Sequence, residues 1–275
     1  MTVGESILYG LLQGITEFLP VSSSGHLALL HAFMGDVGET SAAFDVMLHI
    51  ATLLAVCAMY SAEVISVIRG FFTLLKKLFC GRMKEALTSD ERLFLMLCIA
   101  SLPLIPAAFL DNYVASIRSK LWLIGALLII NGILLFVGDK LQEGERDISS
   151  LTGGNALMIG AIQLFAVMPG ISRSGSTIVG GIAGGLKRDD AVRFSFLLSM
   201  PAILGAAVLE LPSLFTGTLT KAEVLPLLVG SLTAFFVGLL AIRLLKYVAG
   251  KKRFGAFTVY CITVGLTAIV YDVLK

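Results

Sequence analysis

Polar and apolar positions along this chain alternate on the scale of whole segments. The stretches 42–60, 93–110, 121–138, 191–211, 224–245 and 254–273 are each apolar over close to the 20 or so residues that a helix needs to cross the hydrocarbon of a bilayer. They predict six full transmembrane helices. Two further apolar regions, 7–34 and 156–186, are interrupted midway by clusters of Pro, Gly and Ser. Each half is too short to cross, so each region is expected to be a broken re-entrant hairpin that enters the membrane and leaves by the same side. Irregular backbone at that depth is tolerated only where protein or a water-filled cavity surrounds it.

The two interrupted regions resemble each other. A constant offset of 150 pairs Gly10 with Gly160, Gln13 with Gln163, Ser22 with Ser172, Ser24 with Ser174 and Gly25 with Gly175, and it continues through Phe44 with Phe194 and Leu48 with Leu198. An ungapped register of that length reads as an internal repeat. The whole chain, 1–275, is then one integral membrane domain, with a first repeat at 1–140 and a second at 155–275. One hairpin followed by three spans gives each repeat an odd number of crossings, so the second copy is inverted. Interrupted segments at matching places in two halves point to a binding site near the midplane.

Composition agrees with this all-α polytopic membrane class. Hydrophobic residues make up 57% and charged residues 15%, against about 25% charged in soluble domains. A net charge of +2 offers no footprint for a nucleic acid, and the basic residues fall in loops. Arg69, Lys76, Lys77, Arg82, Lys84, Lys140, Arg146, Lys187, Arg188, Lys246, Lys251, Lys252 and Arg253 share one side of the expected topology; Arg118, Lys120, Lys221 and Lys275 occupy the other. Positive loops face the cytoplasm, which puts both termini outside and makes 62–90 a cytoplasmic loop. Cys57, Cys80, Cys98 and Cys261 lack paired spacing and read as packing residues. The N-terminus lacks the basic flank and cleavage site of a removable signal, so residue 1 onward reads as mature protein.

The chemistry concentrates in the breaks. Gln13 and Glu17 are four apart and share one helix face. A carboxylate inside a membrane segment is costly enough that function is its default reading. After Pro20, Ser22, Ser23 and Ser24 supply hydroxyls, Gly25 permits close backbone approach, and His26 stands at the start of a half-helix, where free amides favour an anion. His26 is a candidate nucleophile or general acid/base; His31 and His49, without such neighbours, read as structural. The matching second break sets Arg173 between Ser172 and Ser174, followed by Gly175 and Thr177. A permanent forked cation beside hydroxyls and helix-start amides suits phosphate. These residues alone leave open a phosphohydrolase acting on a lipid and a transporter. A carrier has less use for adjacent serines, a histidine and a glutamate, and a scaffold explains none of them.

The segments LLQGITEFLPVSSSGHL and PGISRSGSTI closely resemble the two signature segments of the bacterial undecaprenyl-diphosphate phosphatases of the bacitracin-resistance type. The resemblance implies a multi-pass plasma-membrane hydrolase that removes the terminal phosphate of undecaprenyl diphosphate. It would thereby recycle the lipid carrier for peptidoglycan synthesis and confer resistance to bacitracin, with its site facing outside. It implies Glu17, Ser23, His26 and Arg173 as catalytic residues. Gln13, Ser22, Ser24, Gly25, Ser172, Ser174, Gly175 and Thr177 would bind substrate. It also implies a divalent cation, Mg2+ or Ca2+, at Glu17; Glu17 would hold this ion or orient His26. Gln13 stands where the family has Glu or Gln, and Gln removes one potential charged ligand of a two-carboxylate metal site. The partners expected are the polyprenyl diphosphate lipid and the bilayer, with a homodimer compatible.

Overall fold

The computed structural model describes residues 1–34, 42–82, 84–142, 144–216, 221–251 and 253–275; Lys252, counted among the basic residues above, lies outside them. Among the described residues the chain is helical throughout. The helices are α1 (Val3–Phe18), α2 (Ser23–Met34), α3 (Ala42–Met59), α4 (Ser61–Phe79), α5 (Ser89–Ser101), α6 (Asp111–Arg118), α7 (Leu121–Lys140), α8 (Gly153–Phe165), α9 (Arg173–Ala183), α10 (Arg188–Thr216), α11 (Lys221–Gly250) and α12 (Gly255–Leu274). A 3-10 segment, Leu102–Phe109, continues α5.

Four stretches, Leu121–Lys140, Arg188–Val208, Val224–Gly250 and Gly255–Leu274, are single helices long and apolar enough to cross a membrane. A fifth crossing results if α3 and α4, which meet at 94°, form one broken span. The protein is therefore a multi-pass membrane protein. Of the other two expected spans, 42–60 is the single helix α3, and 93–110 departs from a single helix for a local reason. In 93–110 the α-helix gives way at Ser101, because Pro103 and Pro106 lack the N–H that an α-helical ladder needs. Beyond 42–60, the region expected as a loop is the amphipathic helix α4. Ile65, Ile68, Phe72, Leu75 and Phe79 are all exposed and repeat at helical spacing along it, while its basic residues drew the loop reading.

Both interrupted regions are helix, break, helix. A capping box starts α1: Thr2 Oγ1 accepts from the Glu5 amide and Glu5 Oε2 accepts from the Thr2 amide. The helix stops at Leu19, before Pro20. The second hairpin turns at Pro169 and Gly170, whose φ of 109° is accessible to glycine at little cost. The return helices start alike. Ser22 Oγ accepts from the Gly25 amide at 3.3 Å, and Ser172 Oγ accepts from the Gly175 amide at 3.1 Å.

Close backbone contacts hold the helices in register, as expected where lipid removes the hydrophobic drive between helices. A Cβ on Gly10 of α1 would lie 2.4 Å from the carbonyl oxygen of Gly230 on α11, and one on Gly160 of α8 would lie 2.2 Å from that of Ala100 on α5. Gly125 of α7 and Gly265 of α12 press on each other in the same way, at 2.5 Å. A buried cluster that includes Phe18, Phe196, Leu197 and Ile178 closes around the inner ends of the hairpins.

Candidate functional site

Glu17 lies in the last turn of α1, buried, and Gln13 one turn before it is wholly buried. Gln13 Nε2 donates to Glu17 Oε2 at 3.1 Å, and Ser23 Oγ, from the first turn of α2, donates to the same oxygen at 2.7 Å. The other carboxylate oxygen accepts from Arg173 Nη2, across the interface of the two hairpins. Three of the expected catalytic residues, Glu17, Ser23 and Arg173, therefore meet directly. Burying such a pair costs several kcal/mol of desolvation per ion, so stability alone does not account for it.

Two polar atoms beside this pair are buried and lack a protein partner: Arg173 Nη1 and Gln13 Oε1. Both belong to side chains that bond Glu17, and each is an atom whose bonding a ligand or water would complete.

The two breaks touch each other directly. Gly170 N–H donates to Ser22 Oγ at 3.0 Å, and a Cβ on Gly25 would come within 3.0 Å of the Gly170 Cα. Ser22 adopts a φ of 75°, rare for a residue other than glycine. Such strain recurs at functional sites. Ser22 Oγ lies 3.4 Å from Ser24 Oγ, and Ser172 Oγ 3.1 Å from Ser174 Oγ.

Asn131 of α7, which the sequence reading missed, clasps both breaks. Its Nδ2 donates to the Pro20 carbonyl at 2.8 Å and its Oδ1 accepts from the Ser172 amide at 2.9 Å, while the side chain is fully buried. A lone amide in LLIINGILL was the available signal, by the same intramembrane-polarity argument that singled out Glu17.

The hydrogen bonds of His26 go to groups other than the carboxylate. Its Nδ1 is 2.8 Å from the Ser22 carbonyl and its Nε2 2.8 Å from the hydroxyl of Tyr260 on α12. The residue touching His26 is thus Tyr260, where Glu17 had been considered for that role. Nothing in the local sequence flagged Tyr260. Thr177 turns away from the Glu17–Arg173 pair: its Oγ1 donates to the Arg173 carbonyl at 2.8 Å and lies 2.6 Å from Ser195 Oγ on α10. His49 of α3 donates from Nδ1 to the Asp45 carbonyl at 2.8 Å and is an electrostatic neighbour of Glu17. A separate cavity of about 720 Å³, lined by Arg146, Asn155, Met158 and Gly185, includes none of these site residues.

With this geometry in view, comparison with known proteins is decisive. Residues 6–267 match the family described as Bacitracin resistance protein BacA. The chain belongs to this family. Curated relatives in it carry the name undecaprenyl-diphosphatase. The one from Desulforapulum autotrophicum is 39% identical over 98% of this chain and 98% of its own. That of Alkaliphilus metalliredigens is 36% identical over 100% of each, and that of Methanobrevibacter smithii 37% identical over 97% of this chain and 96% of its own.

The BacA-family resemblance implies a divalent cation, and the donors present permit a test. Among the described residues no three His, Cys, Asp or Glu side chains gather as a cage. Among the described residues Glu17 is the one carboxylate that Gln13, Ser23 and Arg173 contact, and Gln13 Oε1 is a neutral oxygen without a protein partner. Mg2+ commonly binds through one or two carboxylates plus substrate phosphates while keeping several waters. Glu17 and Gln13 fit that mode, with the substrate supplying the remaining protein-independent ligands.

Proposed function

We propose that this protein is an integral-membrane phosphatase that hydrolyses undecaprenyl diphosphate to undecaprenyl phosphate and inorganic phosphate. The reading is carried by Arg173: one arm of its guanidinium is tied to Glu17 and the other is buried with no protein partner, at the first residue of a helix facing the opposite break. A forked donor at a helix N-terminus is suited to a phosphate oxygen. The names carried by the full-length relatives point to the same reaction.

The chemistry follows from the contacts. Ser23 already donates to Glu17 Oε2, so the carboxylate is placed to take its proton as the oxygen attacks the terminal phosphorus. The bond from that phosphorus to the bridging oxygen breaks, and the lipid monophosphate leaves. Water then cleaves the phosphoserine to free phosphate, with His26 as the acid/base group for that half. Arg173 and the amides at the start of α9 offset the charge that builds on the phosphoryl oxygens. A divalent cation held by Glu17 and Gln13 supplies further charge neutralisation when bound.

The architecture that goes with this reading is an inverted repeat of two hairpins and six spans, divided at 1–140 and 155–275. It is supported by the matching serine caps of α2 and α9, and by reciprocal packing. The first hairpin lies on α11 of the second half through Gly10 and Gly230, and the second lies on α5 of the first half through Gly160 and Ala100. In the cell the protein would sit in the plasma membrane with its site outward, recycling the carrier lipid for peptidoglycan synthesis and conferring bacitracin resistance.

The test is phosphate release from undecaprenyl diphosphate by purified protein in detergent, comparing wild type, Glu17→Ala, His26→Ala and Arg173→Ala with and without EDTA. Metal-dependent release that collapses in the variants supports the reading. A folded wild type that releases no phosphate with any metal would refute it.

A further inference from the structure

The sequence and the comparisons leave Tyr260 without a role, yet its hydroxyl is the side-chain group that meets the His26 imidazole, at 2.8 Å. A carbonyl only accepts hydrogen bonds, so His26 Nδ1, 2.8 Å from the Ser22 oxygen, carries the proton. The lone pair of a neutral ring then lies on Nε2, which faces the Tyr260 hydroxyl at 2.8 Å. The two rings are parallel to within 7°, with centroids 5.5 Å apart.

The hydroxyl is held in place from behind. Gly265, on the same helix as Tyr260, lets the α12 backbone lie directly against Gly125 of α7, where an added Cβ would come within 2.5 Å of the facing carbonyl oxygen. Cys261, the next residue, lies 3.4 Å from Nδ2 of Asn131, the side chain that clasps both breaks. The position of the phenol is thereby set by the same contacts that set the two hairpins. Tyr260 is also 43% exposed while His26 is buried, so the phenol covers the imidazole from the outer side of the helix bundle.

We propose that Tyr260 is the positioning residue of His26: it fixes the Nδ1-protonated tautomer and makes Nε2 the single atom through which His26 exchanges a proton during turnover. A phenol serves both states of the ring, donating to bare Nε2 and accepting from it once protonated. This inference rests on the reading of His26 as an acid/base group of the phosphatase.

Tyr260→Phe removes the hydroxyl alone and keeps the ring stacked on His26. Expected is a fall in kcat of about tenfold, a fraction of the 10²–10⁴ that acid–base catalysis contributes, with KM within about twofold of wild type. The second readout needs no turnover. The chain has 3 histidines, so the His26 resonances of ¹⁵N-histidine-labelled protein can be assigned by their loss in His26→Gln. Wild type should show a protonated Nδ1 and a hydrogen-bonded, unprotonated Nε2, and Tyr260→Phe should shift the Nε2 resonance. An unchanged kcat and Nε2 resonance in Tyr260→Phe, alongside an inactive His26→Gln, would overturn the proposal while leaving the phosphatase reading intact. A change in KM with kcat preserved would overturn it too, by making Tyr260 a substrate contact. A fully active His26→Gln would remove the imidazole from the reaction, and the positioning role with it.

Discussion

Removing the Asn131 side chain separates the two breaks with a calculable cost. Its amide makes one hydrogen bond to the Pro20 carbonyl at 2.8 Å and one to the Ser172 amide at 2.9 Å, all fully buried. Asn131→Ala leaves both backbone groups without that partner. Interhelical side-chain hydrogen bonds in membrane proteins average about 0.6 kcal/mol, so two set a floor of about 1.2 kcal/mol. Orphaning a buried backbone group costs about 1–3 kcal/mol, so two set a ceiling of about 6 kcal/mol. A loss of about 2–4 kcal/mol is the expected result, read as a change in unfolding free energy in detergent. Catalysis should fall further than stability implies. Ser172 caps the helix that begins with Arg173, and a misplacement of about 1 Å at a reacting centre costs on the order of 100-fold. Phosphate release at a temperature where the variant is fully folded separates the two effects. A stability loss below about 0.5 kcal/mol together with wild-type turnover would refute the clasp.

Further outcomes follow from the packing and the surface charges. Gly10→Ala and Gly160→Ala should each destabilise by about 1–3 kcal/mol through overpacking, because each new Cβ meets backbone; a thermal melt unchanged by either substitution would refute the close approach at that glycine. Outside the membrane, Lys187 Nζ donates to Asp147 at 2.7 Å, and this hydrogen bond holds the Asp147 carboxyl below its ordinary value of 3.8 and raises the Lys187 ammonium. A lowered carboxylate stabilises above its unfolded value and loses that contribution as pH falls through the folded one. A raised ammonium stabilises below its unfolded value and loses it as pH rises through the folded one. The small melting-temperature advantage of wild type over Asp147→Asn should therefore persist at neutral pH, vanish in strong acid and shrink with salt. An advantage independent of both would point to packing instead.

The chemistry of the breaks was readable because a bilayer makes polar residues conspicuous. Glu17, Ser23 and Arg173 stand out in segments where nothing else explains them, and the structure brings them into contact. The same rule applied to Asn131 would have found the clasp. Tyr260 was hidden, since a tyrosine in a transmembrane helix is ordinary and its value lies in a partner far away in sequence. Thr177 was assigned by its place in a motif, but the turn of α9 carries its hydroxyl to Ser195. The helix α4 was hidden by its lysines and arginine, which dominated the reading of a segment whose apolar residues keep helical spacing.

Sequence alone determined the membrane class, the two interrupted helical regions and the residue types available for phosphate chemistry. Each depends on local composition or spacing along one chain, and the cost of polar groups in lipid makes those signals strong. Only the tertiary structure decided which atoms meet: that Arg173 gives one arm to Glu17 and keeps the other open, that Asn131 joins the breaks, and that Tyr260 holds His26. Those contacts span from 41 to 234 residues of sequence. They are set by how closely glycine-lined helices approach, a property of pairs of helices that no single segment contains.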